Sequence, residues 1–117
     1  MKLFTNQIIK GLTAQYNKGS QLESQNIICK IFNPNGAGTW YCLNMDPADE
    51  DYIWCIAHIT EWEIGSVLRS ELENIRVSPF GLPLERDLSF QPMNAKTAFD
   101  RLITGQPLYS SHTNKEG

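Results

Sequence analysis

The spacing of apolar residues changes along the chain. In the first twenty positions Ile8, Ile9, Leu12 and Tyr16 recur at helical intervals and form one stripe. This predicts a helix over residues 4–18. Thr5 is its expected N-cap, because a hydroxyl there accepts a first-turn N–H. Gly11 weakens the helix by about 1 kcal/mol relative to Ala, and Gly19 is placed to end it. Beyond residue 25 the pattern changes to strands. Segments 26–32 (NIICKIF), 39–45 (TWYCLNM) and 52–58 (YIWCIAH) are apolar on both faces, as strands covered on both sides must be. Turn formers at 33–38 and 46–51 separate them. Segment 61–68 (EWEIGSVL) opens with charged and apolar residues in alternation, the mark of a half-exposed fourth strand. Segment 69–75 reads as a short helix with Leu72 and Ile75 inward, and 80–84 as an ordered apolar loop. Segment 85–91 reads as a last strand presenting Leu88 and Phe90. Asn94 then caps a helix through Ala98, Phe99, Leu102 and Ile103, closed by Gly105.

These elements predict an α+β fold: a small antiparallel sheet of four to five strands, a meander of hairpins, with an N-terminal and a C-terminal helix packed against it. The expected domain is 1–105, and 106–117 is a polar tail expected to fray. If each hairpin is symmetric about its turn, Cys29 lies opposite Cys42 and Cys42 opposite Cys55. The three thiols then form a row on one face beside Trp40 and Ile31. Tyr41, Leu43, Trp54 and Ile56 cluster on the other face, and a one-residue bulge would break this register.

With 117 residues, the chain is long enough for one core without a metal or disulfide staple. The three cysteines are odd in number, lack a C-x-x-C pair, and are expected to be reduced and packed. His58 is the plausible base for a thiol nucleophile, and the other histidine is His112. No segment has the ~20 consecutive apolar residues of a membrane span, and residues 1–10 show no signal peptide, so a cytoplasmic protein is expected.

Charge alters the picture more than composition does. The net charge is −3, but residues 46–73 carry Asp46, Asp49, Glu50, Asp51, Glu61, Glu63, Glu71 and Glu73 against Arg69 alone, a net −7. Residues 1–45 are net +3 and residues 74–117 net +1. An acidic centre repels nucleic acid and attracts basic protein surfaces or cations.

Phosphate-loop, dinucleotide, zinc-protease and nucleophile-elbow motifs are missing from the sequence, so no catalytic residue is assigned and no cofactor is expected. The expected partner surface is Glu61, Trp62, Glu63, Glu71, Asp49 and Asp51, with Trp62 as an accessible hot spot. A convergence of Glu61, Glu63 and Glu71 would instead suit a hard cation such as Mg²⁺, and hence a metal-dependent enzyme acting on nucleic acid. A third possibility is direct nucleic-acid binding through Lys2, Lys10, Lys18 and Lys30. Arg86 is expected to pair with a carboxylate such as Glu71 or Glu61 and pin its loop to the sheet.

The run Thr39-Trp40-Tyr41, the strand Glu61-Trp62-Glu63-Ile64-Gly65, Ser70-Glu71-Leu72-Glu73 and above all Phe80-Gly81-Leu82-Pro83-Leu84-Glu85-Arg86-Asp87-Leu88, with Phe90 and Pro92, resemble the bacterial domain-of-unknown-function family 2958. The opening Met1-Lys2-Leu3-Phe4-Thr5 fits too. The resemblance covers roughly residues 1–93 and leaves out the last helix, and the cysteines are not part of its pattern. Gly81, Pro83, Glu85, Arg86 and Asp87 are its structural motif. It implies carriage on plasmids and other mobile DNA, with no established activity. The leading expectation is therefore a non-enzymatic accessory protein of a mobile element. It would bind a basic protein through its acidic face, and one sharper form is an inhibitor of a host DNA-targeting defence.

Overall fold

A computed structural model describes residues 1–109 of the chain. At its centre lies β3 (Thr39–Asp46), in which every residue from Trp40 to Met45 is buried. Such a strand must have neighbours on both edges and layers on both faces. Antiparallel partners flank it: β2 (Cys29–Phe32) on one side and β4 (Asp49–His58) on the other. Next to β4 runs β5 (Trp62–Leu68), and the short β8 (Glu85–Arg86) returns beside β2. The five-stranded order is β5-β4-β3-β2-β8, the expected meander with one returning strand. Two small ladders complete the chain: β1 (Asn26–Ile27) with β9 (Met93–Asn94), and β6 (Arg76–Val77) with β7 (Leu82–Pro83).

The cysteine register is as the hairpin symmetry predicts: Cys29 faces Cys42, and Cys42 faces Cys55. They join Ile31, Trp40, Met45 and Ile53 in a core on the first face, covered by Leu3, Phe4, Leu12 and Leu72. Leu12 belongs to α1 (Asn6–Ala14) and Leu72 to α2 (Arg69–Asn74). On the second face Tyr41, Leu43, Ile56 and Trp54 meet Leu22, Ile27, Phe90 and the inner side of α3 (Ala95–Ile103). Thr5 and Asn94 both cap as expected, Thr5 Oγ1 accepting from Ile8 N at 3.2 Å and Asn94 Oδ1 from Thr97 N at 3.0 Å.

Three predicted boundaries are corrected. The first helix stops at Ala14 and only a 3₁₀ turn over Tyr16–Lys18 continues it. Gly11 lies inside the helix because α1 approaches the strand layer closely: a Cβ there would sit 3.2 Å from the Ile28 side chain. The segment 26–32 is not one strand. Ile28 still donates to Cys42 O at 2.9 Å, but β1 then turns away to pair with β9. Residues 85–91 form a strand only at Glu85–Arg86. Asp87 Oδ1 then accepts from Ser89 N in a tight turn that leaves Leu88 72% exposed.

A bulge accompanies the break between β1 and Ile28. The β3–β4 register shifts between Cys42 and Asn44, so two residues of β3 advance past one of β4. Beyond this point Gln15 replaces the missing ladder. Its Nε2 donates to Leu43 O (2.7 Å) and Asn26 O (2.9 Å), and its Oε1 accepts from Asn26 N (2.9 Å). Asn44, 4% exposed, donates to Gly19 O and Gln25 Oε1, both at 2.9 Å. Gln25, 3% exposed, donates in turn to Gly19 O and Gln21 O. This network clamps segment 19–25 onto the sheet.

Residues 106–109 lie against the domain. Leu108 packs on the second core, and Tyr109 Oη bonds Gln91 N and O. The rest of the expected tail, 110–117, lies outside the described residues. Among the described residues no helix is long and apolar enough to cross a membrane.

Removing the Asn44 amide leaves Gln25 Oε1 without its donor in a buried setting. Asn44→Ala is expected to cost about 1–3 kcal/mol. A urea titration checks this: the midpoint falls with the slope unchanged, and a loss under about 0.5 kcal/mol would contradict the clamp.

Candidate functional site

The sheet register decides which of the expected partner residues can act together. Along β5, Trp62 opposes His58 and Glu63 opposes Ala57, so the two side chains point to opposite faces. Trp62 is half-buried on the second face, its ring 4.4 Å from His58 and 6.2 Å from Tyr41. Glu63 is exposed on the first face, lining a hollow of about 200 Å³ with Trp40 and Cys55. Glu61 is exposed in the turn before β5. Glu71 stands on α2 at the far end, beyond a strand that rises roughly 20 Å between Glu63 and Arg69. Glu61, Glu63 and Glu71 therefore do not converge, and no group of three His, Cys, Asp or Glu among the described residues is placed to hold a metal ion. The expected surface of Glu61, Trp62, Glu63, Glu71, Asp49 and Asp51 is split between the two ends of the sheet.

The larger group lies at the end formed by the β3–β4 hairpin and the start of α2. Asp51 joins these two pieces: its carboxylate accepts from Ser70 N (2.8 Å) and Ser70 Oγ (3.0 Å), satisfying a first-turn donor of α2 that has no cap of its own. Arg69 pairs with Glu73 at 3.1 Å and lies 4.0 Å from Glu50, while its guanidinium stands over the buried Phe4 ring. Asp46, Asp49 and Glu71 have no cationic partner within ion-pair distance among the described residues. Asp46 Oδ1 and Asp49 Oδ1 each accept one backbone N–H, from Ala48 and Asp51.

Beside this acidic end opens a cavity of about 330 Å³. It follows from the bulge and the clamp. Asn44, Trp54 and Ser66 are register neighbours across three strands and supply one wall. Tyr52 lies two residues before Trp54 on the same face. Tyr16, Gly19 and Ser20 come from the segment that Asn44 and Gln25 hold down, and Asp46 and Asp49 from the hairpin. The cavity is lined mostly by apolar atoms. Tyr16 and Tyr52 are 46% and 53% exposed. Trp54 Nε1 is buried and has no hydrogen-bond partner among the described residues. The charge pattern shows the acids, but not this cavity, because the turn after the first helix gives no sign of folding back over β3.

All three thiols are free and buried. The hydrogen bond with Cys29, then burial, pushes the Cys42 thiol well up, and burial first pushes Cys55 up to about 12. His58, the expected base, stacks on Trp62 on the second face, while the cysteines belong to the first. Lys30 is engaged with Asp87 at 3.6 Å and stands over the Tyr41 ring. Lys2, Lys10 and Lys18 are exposed on three separate segments.

The motif around Gly81 closes the sheet edge. Gly81 has φ +65° in the turn between β6 and β7, a conformation that favours glycine. Pro83 opposes Arg76, Leu84 enters the first core, and Glu85 and Arg86 pair with Phe32 and Ile31. Arg86 does not meet Glu71 or Glu61. Its guanidinium donates to the carbonyls of Lys2 and Leu3, the latter at 2.7 Å, and so fastens the N-terminus to the edge strand. A sequence pattern cannot reveal a main-chain partner 83 residues away.

The family model described as a protein of unknown function (DUF2958) matches residues 3–104. The chain belongs to the DUF2958 family. The match takes in α3, which the motif resemblance left out, so the second layer of the sheet is part of the DUF2958 domain. No curated protein and no solved structure matches the chain.

Native protein is expected to resist thiol alkylation at about pH 8 and to label at all three cysteines once unfolded. Because the folded Cys55 pKa lies above its ordinary value of 9, its contribution to stability is full below about pH 9 and is lost as pH rises toward 12. Cys55→Ala is expected to flatten that alkaline decline, read from unfolding midpoints across the range. Rapid labelling of the folded protein would contradict the sealed row.

Proposed function

We propose that this DUF2958 protein is a non-enzymatic binding module that engages a basic protein surface through the acidic end of its sheet. One observation carries the reading: Asp46, Asp49 and Glu71, without cationic partners among the described residues, stand at the same end of the fold as a cavity lined by Tyr16, Tyr52 and Trp54. Carboxylates steer a basic partner and set its orientation, while aromatic side chains supply affinity. The aromatic part of the expected surface thus moves from Trp62 to Tyr52 and Trp54. The separated carboxylates give the metal-dependent reading no comparable support.

The family resemblance adds a context: an accessory protein of a mobile element, acting in the cytoplasm. In its sharper form the protein inhibits a DNA-targeting defence enzyme, because a carboxylate array can occupy a channel whose Lys and Arg are built for phosphates.

Two charge reversals test the location. The pair Asp49→Lys and Glu71→Lys is expected to abolish salt-sensitive capture of a basic protein from bacterial lysate, while Glu61→Lys with Glu63→Lys leaves it largely intact. Capture indifferent to salt, or lost equally in both variants, would overturn the assignment.

A further inference from the structure

The cavity beside the acidic end has the chemistry of a cation pocket. Ring pairs in the structure join Tyr41, His58, Trp62, Phe90 and Tyr109. Tyr16, Tyr52 and Trp54 take part in none of them, and no Lys or Arg among the described residues stands over their rings. Three aromatic side chains without ring or cation partners among the described residues thus line one cavity with two carboxylates, Asp46 and Asp49. Aromatic π-faces attract a cation, and more strongly when it is desolvated. The carboxylates add charge complementarity.

We infer that this cavity receives the side chain of a lysine carried by a basic partner, its methylene stem against Tyr52 and Trp54 and its ammonium toward Asp46 and Asp49. The inference rests on the binding-module reading and names what that surface recognises. The hydrogen bonds already made favour lysine over arginine. Asp46 Oδ1 and Asp49 Oδ1 each already accept a backbone N–H, so the bidentate fork a guanidinium prefers would have to share an oxygen with that donor on either carboxylate. An ammonium is a point charge and needs only one oxygen of each. The stem suits the rest of the cavity, because lysine buries its methylenes along apolar surface while its head stays at charge.

The test uses three blocked amino acids as probes: Nα-acetyl-lysine amide, its arginine counterpart, and the neutral norleucine counterpart. Binding is followed by the Trp54 indole N–H resonance, a useful reporter because Trp54 lines the cavity. Lysine is expected to shift it and to bind roughly tenfold more tightly than norleucine at low salt. Tyr52→Ala is expected to weaken lysine binding several-fold without moving the unfolding midpoint, since Tyr52 is 53% exposed and outside both cores. Asp49→Asn is expected to narrow the gap between lysine and norleucine. Norleucine binding as well as lysine would make the cavity a plain apolar groove and overturn the proposal. Arginine binding more tightly than lysine would overturn the choice of ammonium, and no shift with any probe would remove the site. If lysine binds but the charge reversals leave partner capture unaffected, the cation pocket stands and the binding-module assignment fails. If capture is lost on reversal but lysine does not bind, the binding module stands and the cation pocket fails.

Discussion

A strand buried on both faces cannot leave a polar group unpaired, and β3 contains one, Asn44, in an otherwise apolar run from Trp40 to Met45. Its amide finds Gly19 O and Gln25 Oε1, so segment 19–25 must lie over the sheet. The bulge beside it frees the carbonyl of Leu43, which Gln15 takes up. The path of the chain from the end of α1 to β1 is thus fixed by polar groups that the buried strand must satisfy. Arg86 does similar work at the other edge, where two main-chain carbonyls of the N-terminus converge on one guanidinium.

These same constraints build the site. Because Asn44, Trp54 and Ser66 are register neighbours, and because Tyr16, Gly19 and Ser20 are held above them, a hollow remains where the layers diverge. The β3–β4 hairpin reaches past it and sets Asp46 and Asp49 there. Asp51, which the charge pattern marks as a binding residue, is occupied with the first turn of α2. Acidity at this end thus serves two purposes: part of it holds the fold together, and part faces outward with no counter-charge in ion-pair reach among the described residues.

Much of the architecture was legible because it rests on local rules. Apolar runs between turn formers mark three strands and alternation a fourth, hairpin symmetry places the cysteine row, and Thr5 and Asn94 mark two helix starts. The errors fall where a distant partner decides. Asn26–Ile27 left the sheet for β9, a pairing across more than sixty residues. The strand after Leu84 ends early for a local reason instead, because Asp87 folds its own turn. Trp62 reads as accessible between two glutamates, yet alternation turns it toward Tyr41 while the glutamates turn away. The aromatic trio of the cavity was out of reach, since Tyr16 belongs to a turn whose return over β3 depends on the Asn44 clamp.

If β3 and its polar clamp form one rigid unit, the cavity is built before any ligand arrives. Native-state hydrogen exchange tests it most directly. The amides of Leu43 and Met45 and those of residues 19–25 that bond to main-chain carbonyls, Gly19, Gln21 and Gln25, should open together, at a free energy close to that of global unfolding. Fast exchange confined to Gly19, Gln21 and Gln25, with β3 still protected, would show that the covering segment opens on its own and would contradict a preformed site.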